Sequence, residues 1–245
     1  MSERTVTTAY LQLLEELNRL LLKMASFSEE MVVKALDALR EQNVTRAKAV
    51  IMKDDEIDQM EVEIDQYIFN FLALQQPVAG DLRFILATQK INNDLERVAD
   101  HAVNIAEAAI ALSDAPHIKP LVNIPRMSEV AREMLQRAID SFVYRDPDMA
   151  RAVKQRDEEM DDLHKRVQDI LDDIIQSHPE SFYRAAHLLA VSTNLERIAD
   201  LATNIAEEVI FVTDAEMVKH REVQKQACDD EGEHPAHLGL KESET

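Results

Sequence analysis

Apolar residues recur every three or four positions along most of the chain, which is the spacing of one face of an α-helix. Ile91, Leu95, Val98, Ala102 and Ile105 show this spacing over four turns. Polar capping residues and prolines divide the pattern into segments. We therefore expect helices near residues 5–41, 44–74, 81–113, 126–143, 147–176 and 180–214.

The boundaries of these helices follow from residues that start or stop a helix. Asn43 is placed to cap the second helix, and Asp81 is placed to cap the third. Pro147 and Pro179 each stand where a first helical turn would begin. These assignments predict short connections, so that consecutive helices pack as antiparallel neighbours.

The chain contains the same unit twice. The segment Leu95–Glu107 recurs as Leu195–Glu207 with most residues identical, at an offset of 100 positions, whereas Asp54 and Asp58 recur as Asp157 and Asp161, at an offset of 103. The offset changes because the connection after the second helix is longer in the first copy. We predict an all-α fold of two tandem three-helix bundles, arranged side by side. The predicted domains are residues 5–115, residues 126–220 and a polar tail, 221–245.

Composition supports helices and removes several classes of function. The 245 residues include only three glycines, no tryptophan and 4% aromatic residues, which disfavours sheet and leaves no clustered glycines for a phosphate-binding loop. A formal charge of -20 disfavours binding to nucleic acid or to an anionic membrane surface. One cysteine and no long apolar run lead us to expect a cytoplasmic protein.

An acidic stripe runs along two helices of each copy, on the side away from the apolar face. At 100° per residue, Glu96, Asp100, Asn104 and Glu107 share one sector of the third helix. Carboxylates brought together in this way repel each other, and a hard cation with oxygen ligands would relieve the repulsion. The candidate metal ligands are Asp54, Asp58, Glu61, Glu96, Asp100 and Asn104 in the first copy, and Asp157, Asp161, Glu196, Asp200 and Asn204 in the second.

Two other interpretations of the stripes stay open. In a chain with 47 acidic residues, such runs also occur on plain solvated helix faces, with Arg83, Arg97 or Arg197 as ionic partners. The second copy also has His164 where the first has Glu61, so that Asp161 and His164 resemble half of the ligand motif of a di-iron enzyme. A carboxylate-bridged metal enzyme and a metal-independent helical scaffold are therefore alternatives, and we expect the second metal site to be the weaker one.

Two motifs give the chain a resemblance to a known family. The segment Leu74–Arg83 reads Leu-Gln-Gln-Pro-Val-Ala-Gly-Asp-Leu-Arg, and Asp94–Ala106 contains the Leu-Glu-Arg-Val-Ala-Asp element that is duplicated in the second copy. With the duplicated three-helix layout, these motifs resemble the PhoU family of regulatory proteins that accompany bacterial phosphate-specific transport. The resemblance covers about residues 5–220.

The resemblance implies a function and a set of partners. It implies a homodimer that binds metal ions (Fe, Mn, Mg, Zn or Ca) at the Glu/Asp-x-x-x-Asp motifs and is not an enzyme. It also implies negative control of high-affinity phosphate uptake and of the phosphate-starvation two-component response. The partners would be the ATPase subunit of the phosphate ABC transporter and the sensor histidine kinase, with membrane association only through them.

Overall fold

The computed structural model of the chain describes residues 3–114 and 123–214, which form α-helices and contain no strand. The first copy comprises α1 (Glu3–Glu41), α2 (Val44–Ile51), α3 (Asp54–Leu74) and α4 (Ala79–Ala111). The second comprises α5 (Ile124–Tyr144), α6 (Pro147–Lys154), α7 (Asp157–Ser177), a 3-10 turn (Pro179–Ser181) and α8 (Phe182–Asp214). The all-α fold of two tandem bundles is confirmed, while the predicted tail, 221–245, lies outside the described residues.

Each expected middle helix is interrupted once, at equivalent positions. Met52 and Lys53 separate α2 from α3, and Gln155 and Arg156 separate α6 from α7. All four keep right-handed helical backbone angles. The interruption makes Asp54 and Asp157 the first residues of new helices, where the helix dipole favours a negative charge.

The turns at the ends of α1 and α5 also match between the copies. Gln42 and Arg145 have a φ of 51°, which is the left-handed conformation that ends many helices. Asn43 then accepts a hydrogen bond from the Arg46 N–H and caps α2, as predicted. Asp146 caps α6 in the same way, through the Asp148 and Met149 N–H groups.

Asp81 does not cap the third helix of the first copy, and this prediction was wrong. α4 begins at Ala79, because Val78 already has the extended conformation of an N-cap residue. Asp81 lies inside the first turn, where its carboxylate accepts a hydrogen bond of 2.8 Å from the Tyr10 hydroxyl. Burial and this carboxylate raise the pKa of Tyr10 to about 12. Likewise, Pro179 opens a 3-10 turn, not α8 itself.

Side-chain contacts define the directions of the helices. Tyr10 contacts Asp81, and Ser28 donates a hydrogen bond to the Leu95 carbonyl, so α1 and α4 run parallel. α3 returns antiparallel between them. The core of the bundle is formed by fully buried side chains on these helices: Leu17, Met24, Met31, Ile57, Ile64, Leu95 and Ile105.

The two copies pack against each other mainly through α4 and α8, which run antiparallel. Lys90 pairs with the buried Glu208 at 2.9 Å, and His101 hydrogen-bonds Asn194 at 2.8 Å. Antiparallel packing of two similar helices places the acidic stripes of both copies on either side of one shared seam. The fold thus positions two candidate sites on one surface.

Candidate metal centre

The first candidate site lies between the start of α3 and the middle of α4. Asp54 and Asp58 are one turn apart on α3, and Glu96 and Asp100 are one turn apart on α4. The Asp54 Oδ1 atom is buried and has no hydrogen-bond partner among the described residues. A buried carboxylate oxygen without a partner is costly, so this atom is suited to a ligand that supplies positive charge.

The carboxylates of the first site repel one another. Burial, followed by the charges of Asp100, Glu61 and Asp58, raises the pKa of Glu96 to about 7. Burial, followed by Asp100 and Asp58, also raises the pKa of Asp54. The carboxylates of α3 and α4 therefore repel one another across the gap between the two helices, as the sequence predicted. A bound cation would lower the pKa of Glu96 and of Asp54 again.

The second candidate site repeats this arrangement. The Asp157 Oδ1 atom is buried without a partner, as is the equivalent atom of Asp54. Burial is the main reason why the pKa values of Asp157, Glu196 and Asp200 are raised. The negative charge of Asp161 raises all three further. The same unsatisfied oxygen at the same position in both copies is the feature of the structure that best fits a metal ion.

Basic residues distinguish the second site from the first. Arg197 lies 3.0 Å from Asp200 and 3.4 Å from Glu196, and both contacts lower the repulsion there. In the first copy Arg97 lies 3.8 Å from Asp94, and it also lines a cavity with Asp157 and Asp200 of the second copy. Among the described residues, Glu96 and Asp100 form no ion pair. The first site therefore keeps more uncompensated negative charge.

His164 belongs to a hydrogen-bond network in the second copy. Its Nδ1 lies 2.7 Å from the Ser192 hydroxyl, and its Nε2 lies 2.8 Å from the Gln168 amide. Burial lowers the pKa of His164, which favours the neutral ring. Both ring nitrogens thus have protein partners, and this geometry does not favour the di-iron alternative.

Two amides in the candidate set lie near the seam between the copies. Asn104 donates a hydrogen bond of 3.2 Å to Asn194 of the other copy. Asn204 lines two open cavities, of about 250 Å³ and about 420 Å³, that also share Arg97. The role of Asn104 and Asn204 as metal ligands stays a prediction.

The carboxylates do not form a completed metal site. Within residues 3–114 and 123–214, no three His, Cys, Asp or Glu side chains come close enough to hold one ion. Asp58, Asp100 and Asp161 are exposed, so their side chains can rotate at little cost. Carboxylate oxygens arranged in this way suit a hard cation that completes its shell with water.

Sequence reasoning left Glu107 and its equivalent Glu207 out of the candidate sites. Glu107 adds to the repulsion that raises the pKa of Asp54. Glu207 instead accepts a hydrogen bond of 2.6 Å from Lys154, a residue whose equivalent in the first copy is Ile51. Glu107 follows Asp100 by seven positions, or two helical turns, and so lies on the same side of α4. This spacing could have predicted that Glu107 lies near the first site.

Comparison with known proteins agrees with this architecture. The family description "PhoU domain" matches residues 21–109 and, a second time, residues 124–209. The chain belongs to the PhoU family. The two matches correspond to the two copies.

Individual members of the PhoU family match over most of the chain. The phosphate-specific transport system accessory protein PhoU homolog of Aquifex aeolicus is 42% identical over 86% of this chain and 96% of its own length. The homolog of Clostridium acetobutylicum is 37% identical over 84% of this chain and 94% of its own length. The crystal structure of PhoU from Pseudomonas aeruginosa superposes with a TM-score of 0.82 at 33% identity, over 84% of this chain and all of that one.

The raised pKa of Glu96 predicts a stability that depends on pH. Because the folded-state pKa of about 7 exceeds the ordinary value of 4.5, the native state holds this proton more tightly than the unfolded chain. The resulting stability is complete below pH 4.5 and is lost as pH rises through 7. After allowance for solvent screening, we expect a loss of about 1 kcal/mol.

Thermal unfolding with a chelator, from pH 5 to pH 8, measures this effect. Glu96→Gln should unfold at a higher temperature than the wild type at pH 8 and should depend less on pH. Glu63→Gln, at an exposed position of α3, is the matched control and should follow the wild type. An unchanged pH dependence in Glu96→Gln would disprove the repulsion.

Proposed function

We propose that this protein is a negative regulator of high-affinity phosphate uptake and of the phosphate-starvation two-component response. The observation that supports the proposal is the PhoU match over both copies, together with relatives that are named accessory proteins of phosphate-specific transport. A second matching crystal structure, from Streptococcus pneumoniae at 27% identity and a TM-score of 0.80, is titled a phosphate transport system regulatory protein. These names describe regulators and accessory proteins, which supports a role other than catalysis.

We further propose that metal ions bind at the two acidic sites. The unpartnered oxygens of Asp54 and Asp157 support this proposal, since both lie at the head of a helix and face a second pair of carboxylates. A bound cation would neutralise the repulsion between α3 and α4, or between α7 and α8. The carboxylates of Asp54, Asp58, Glu96 and Asp100 would hold it in the first copy.

The partners enter the proposal through the family. We propose that the protein forms a homodimer in the cytoplasm and contacts the ATPase subunit of the phosphate transporter and the sensor histidine kinase. No helix among the described residues is both long and apolar enough to cross a membrane. The proposal accordingly assigns membrane association to these partners.

Deletion of the gene tests the regulatory proposal. Alkaline phosphatase activity in phosphate-rich medium should rise severalfold in the deletion strain and return to its original level when the intact gene is supplied. Complementation with the double variant Asp54→Asn, Asp157→Asn then tests whether the metal sites are needed for regulation. Unchanged repression in the deletion strain would refute the regulatory role, whereas full complementation by the double variant would refute only the regulatory role of the metal.

A further inference from the structure

Charge and apolar character separate along α3. Residues 54–65 contain seven carboxylates and no basic side chain, whereas residues 66–74 contain no charged side chain. The acidic half includes the candidate metal ligands. The carboxylates are Asp54, Asp55, Glu56, Asp58, Glu61, Glu63 and Asp65.

The surface stripe that carries the metal candidates continues into the apolar half. At 100° per residue, Phe69 and Leu72 fall in the same sector of α3 as Asp58 and Asp65. Phe69 is 68% exposed and Leu72 is 36% exposed. The stripe therefore stays on the surface of α3 beyond Asp65, where the carboxylates end.

The same change occurs on the neighbouring helix. Leu82 and Leu86 share the sector of α4 that carries Glu96 and Asp100, and they are 37% and 40% exposed. On both helices, the stripe changes from acidic to apolar towards the connection between α3 and α4.

Cross-helix hydrogen bonds place these apolar residues side by side. Asn93 contacts Glu61, and Asn92 donates to Asp65, which sets the register of the antiparallel pair α3 and α4. Continuing this register towards the connection brings Phe69 and Leu72 level with Leu82 and Leu86, within one helical turn. These four residues form one patch, which we call the apolar groove.

The apolar groove is only partly repeated in the second copy. Asp172 occupies the position of Phe69, and Ala186 occupies the position of Leu86, whereas Ile175 and Phe182 occupy the positions of Leu72 and Leu82. Scattered exposed apolar residues are common, but a contiguous patch on two helices is typical of an interaction site. Because the second copy folds with aspartate and alanine at two of these four positions, the large apolar side chains of Phe69 and Leu86 are not required by the fold.

We propose that the apolar groove and the adjoining acidic half of α3 bind an amphipathic, basic helix of a partner protein. Apolar residues of such a helix would cover Phe69, Leu72, Leu82 and Leu86, and its lysine or arginine residues would lie over the carboxylates around Asp65. Charge complementarity selects this partner, since a second copy of this chain also carries a formal charge of -20. This inference is independent of the regulatory proposal and of metal binding.

A labelled peptide tests the proposal on the full-length protein. The probe is a fluorescein-labelled amphipathic helix of leucine and lysine, about 18 residues long so that it spans the groove and the acidic half. Its affinity is measured by fluorescence anisotropy with a chelator present. Phe69→Asp and Leu86→Asp are each expected to weaken binding about tenfold or more.

Two matched controls separate the groove from general attraction to an acidic protein. Phe182→Asp changes a similarly exposed aromatic residue at the opposite end of the molecule and should alter binding less than about twofold. A peptide of equal charge, with serine in place of leucine, should bind weakly. Equal losses for Phe69→Asp and Phe182→Asp, or equal binding of both peptides, would overturn the proposal.

Two further outcomes would reassign the groove to another occupant. Sedimentation velocity would show a second copy as the occupant if Phe69→Asp abolished a dimer while the peptide failed to bind the wild type. A synthetic peptide of residues 215–245 would identify that segment as the occupant if it displaced the basic probe and bound more tightly. Circular dichroism of each variant confirms that the fold is retained.

Discussion

Replacing Leu95 with alanine is expected to lower the free energy of unfolding by about 3 kcal/mol, within the usual range for a buried leucine. Leu95 has no exposed surface and lies where α1 crosses α4, since its carbonyl accepts the Ser28 hydroxyl at 3.1 Å. The shorter side chain leaves a cavity between these helices because neither can move without breaking other contacts. Urea denaturation followed by circular dichroism measures the change.

The duplication supplies an internal comparison for this prediction. Leu195 occupies the equivalent position in the second copy and is also fully buried, so Leu195→Ala should cost a similar amount. Leu74→Ala, at a residue that is 80% exposed, should change the free energy of unfolding by less than about 0.5 kcal/mol. A loss confined to one of the two buried leucines would contradict equivalent packing of the copies.

Asp54→Asn is expected to weaken the binding of Mn²⁺ to the first site about 100-fold, which is at the upper end of the loss caused by changing a residue that only supports a ligand. The oxygen of Asp54 is buried, unpartnered and close to Asp100, so its charge is offset by no other group in the described structure. Isothermal titration of the chelator-stripped protein measures the affinity. The wild-type titration should show two binding phases, one for each class of Mn²⁺ site. The phase of higher affinity should disappear in this variant.

The ionic contacts of Arg197 predict how the two sites differ. Removing this guanidinium in Arg197→Ala frees Glu196 and Asp200, and should tighten Mn²⁺ binding at the second site about tenfold, equivalent to about 1.4 kcal/mol. Arg40→Ala is the matched control, because Arg40 pairs with Asp37 and Glu41, which are not candidate metal ligands. A tighter second site in the wild type, or an equal gain from both variants, would contradict this account.

The helices, the duplication and the acidic stripes could be predicted from the sequence because each is a local pattern. The spacing of Leu95, Val98 and Ala102 places the core side of α4, and the same spacing places Glu96 and Asp100 opposite it. The placement of Asn43 as a cap is equally local, since the bond it accepts comes from Arg46, three residues away. Such features depend on neighbours within one or two helical turns.

Other features depend on residues that are far apart in the chain. Asp81 was predicted as a cap, but Tyr10 holds its carboxylate inside the first turn of α4. Asn104 contacts Asn194 because α4 and α8 pack antiparallel.

The apolar groove shows the same division. Helical spacing alone places Phe69, Leu72, Leu82 and Leu86 in the sectors of the acidic stripes, away from the core residues nearby. Their exposure follows from the rotation of α3 and α4 about their own axes, which is set by packing against α1 and α8. Helix formation is decided by short-range hydrogen bonds and side-chain spacing, whereas the rotation and register of packed helices are decided by contacts that exist only in the folded chain.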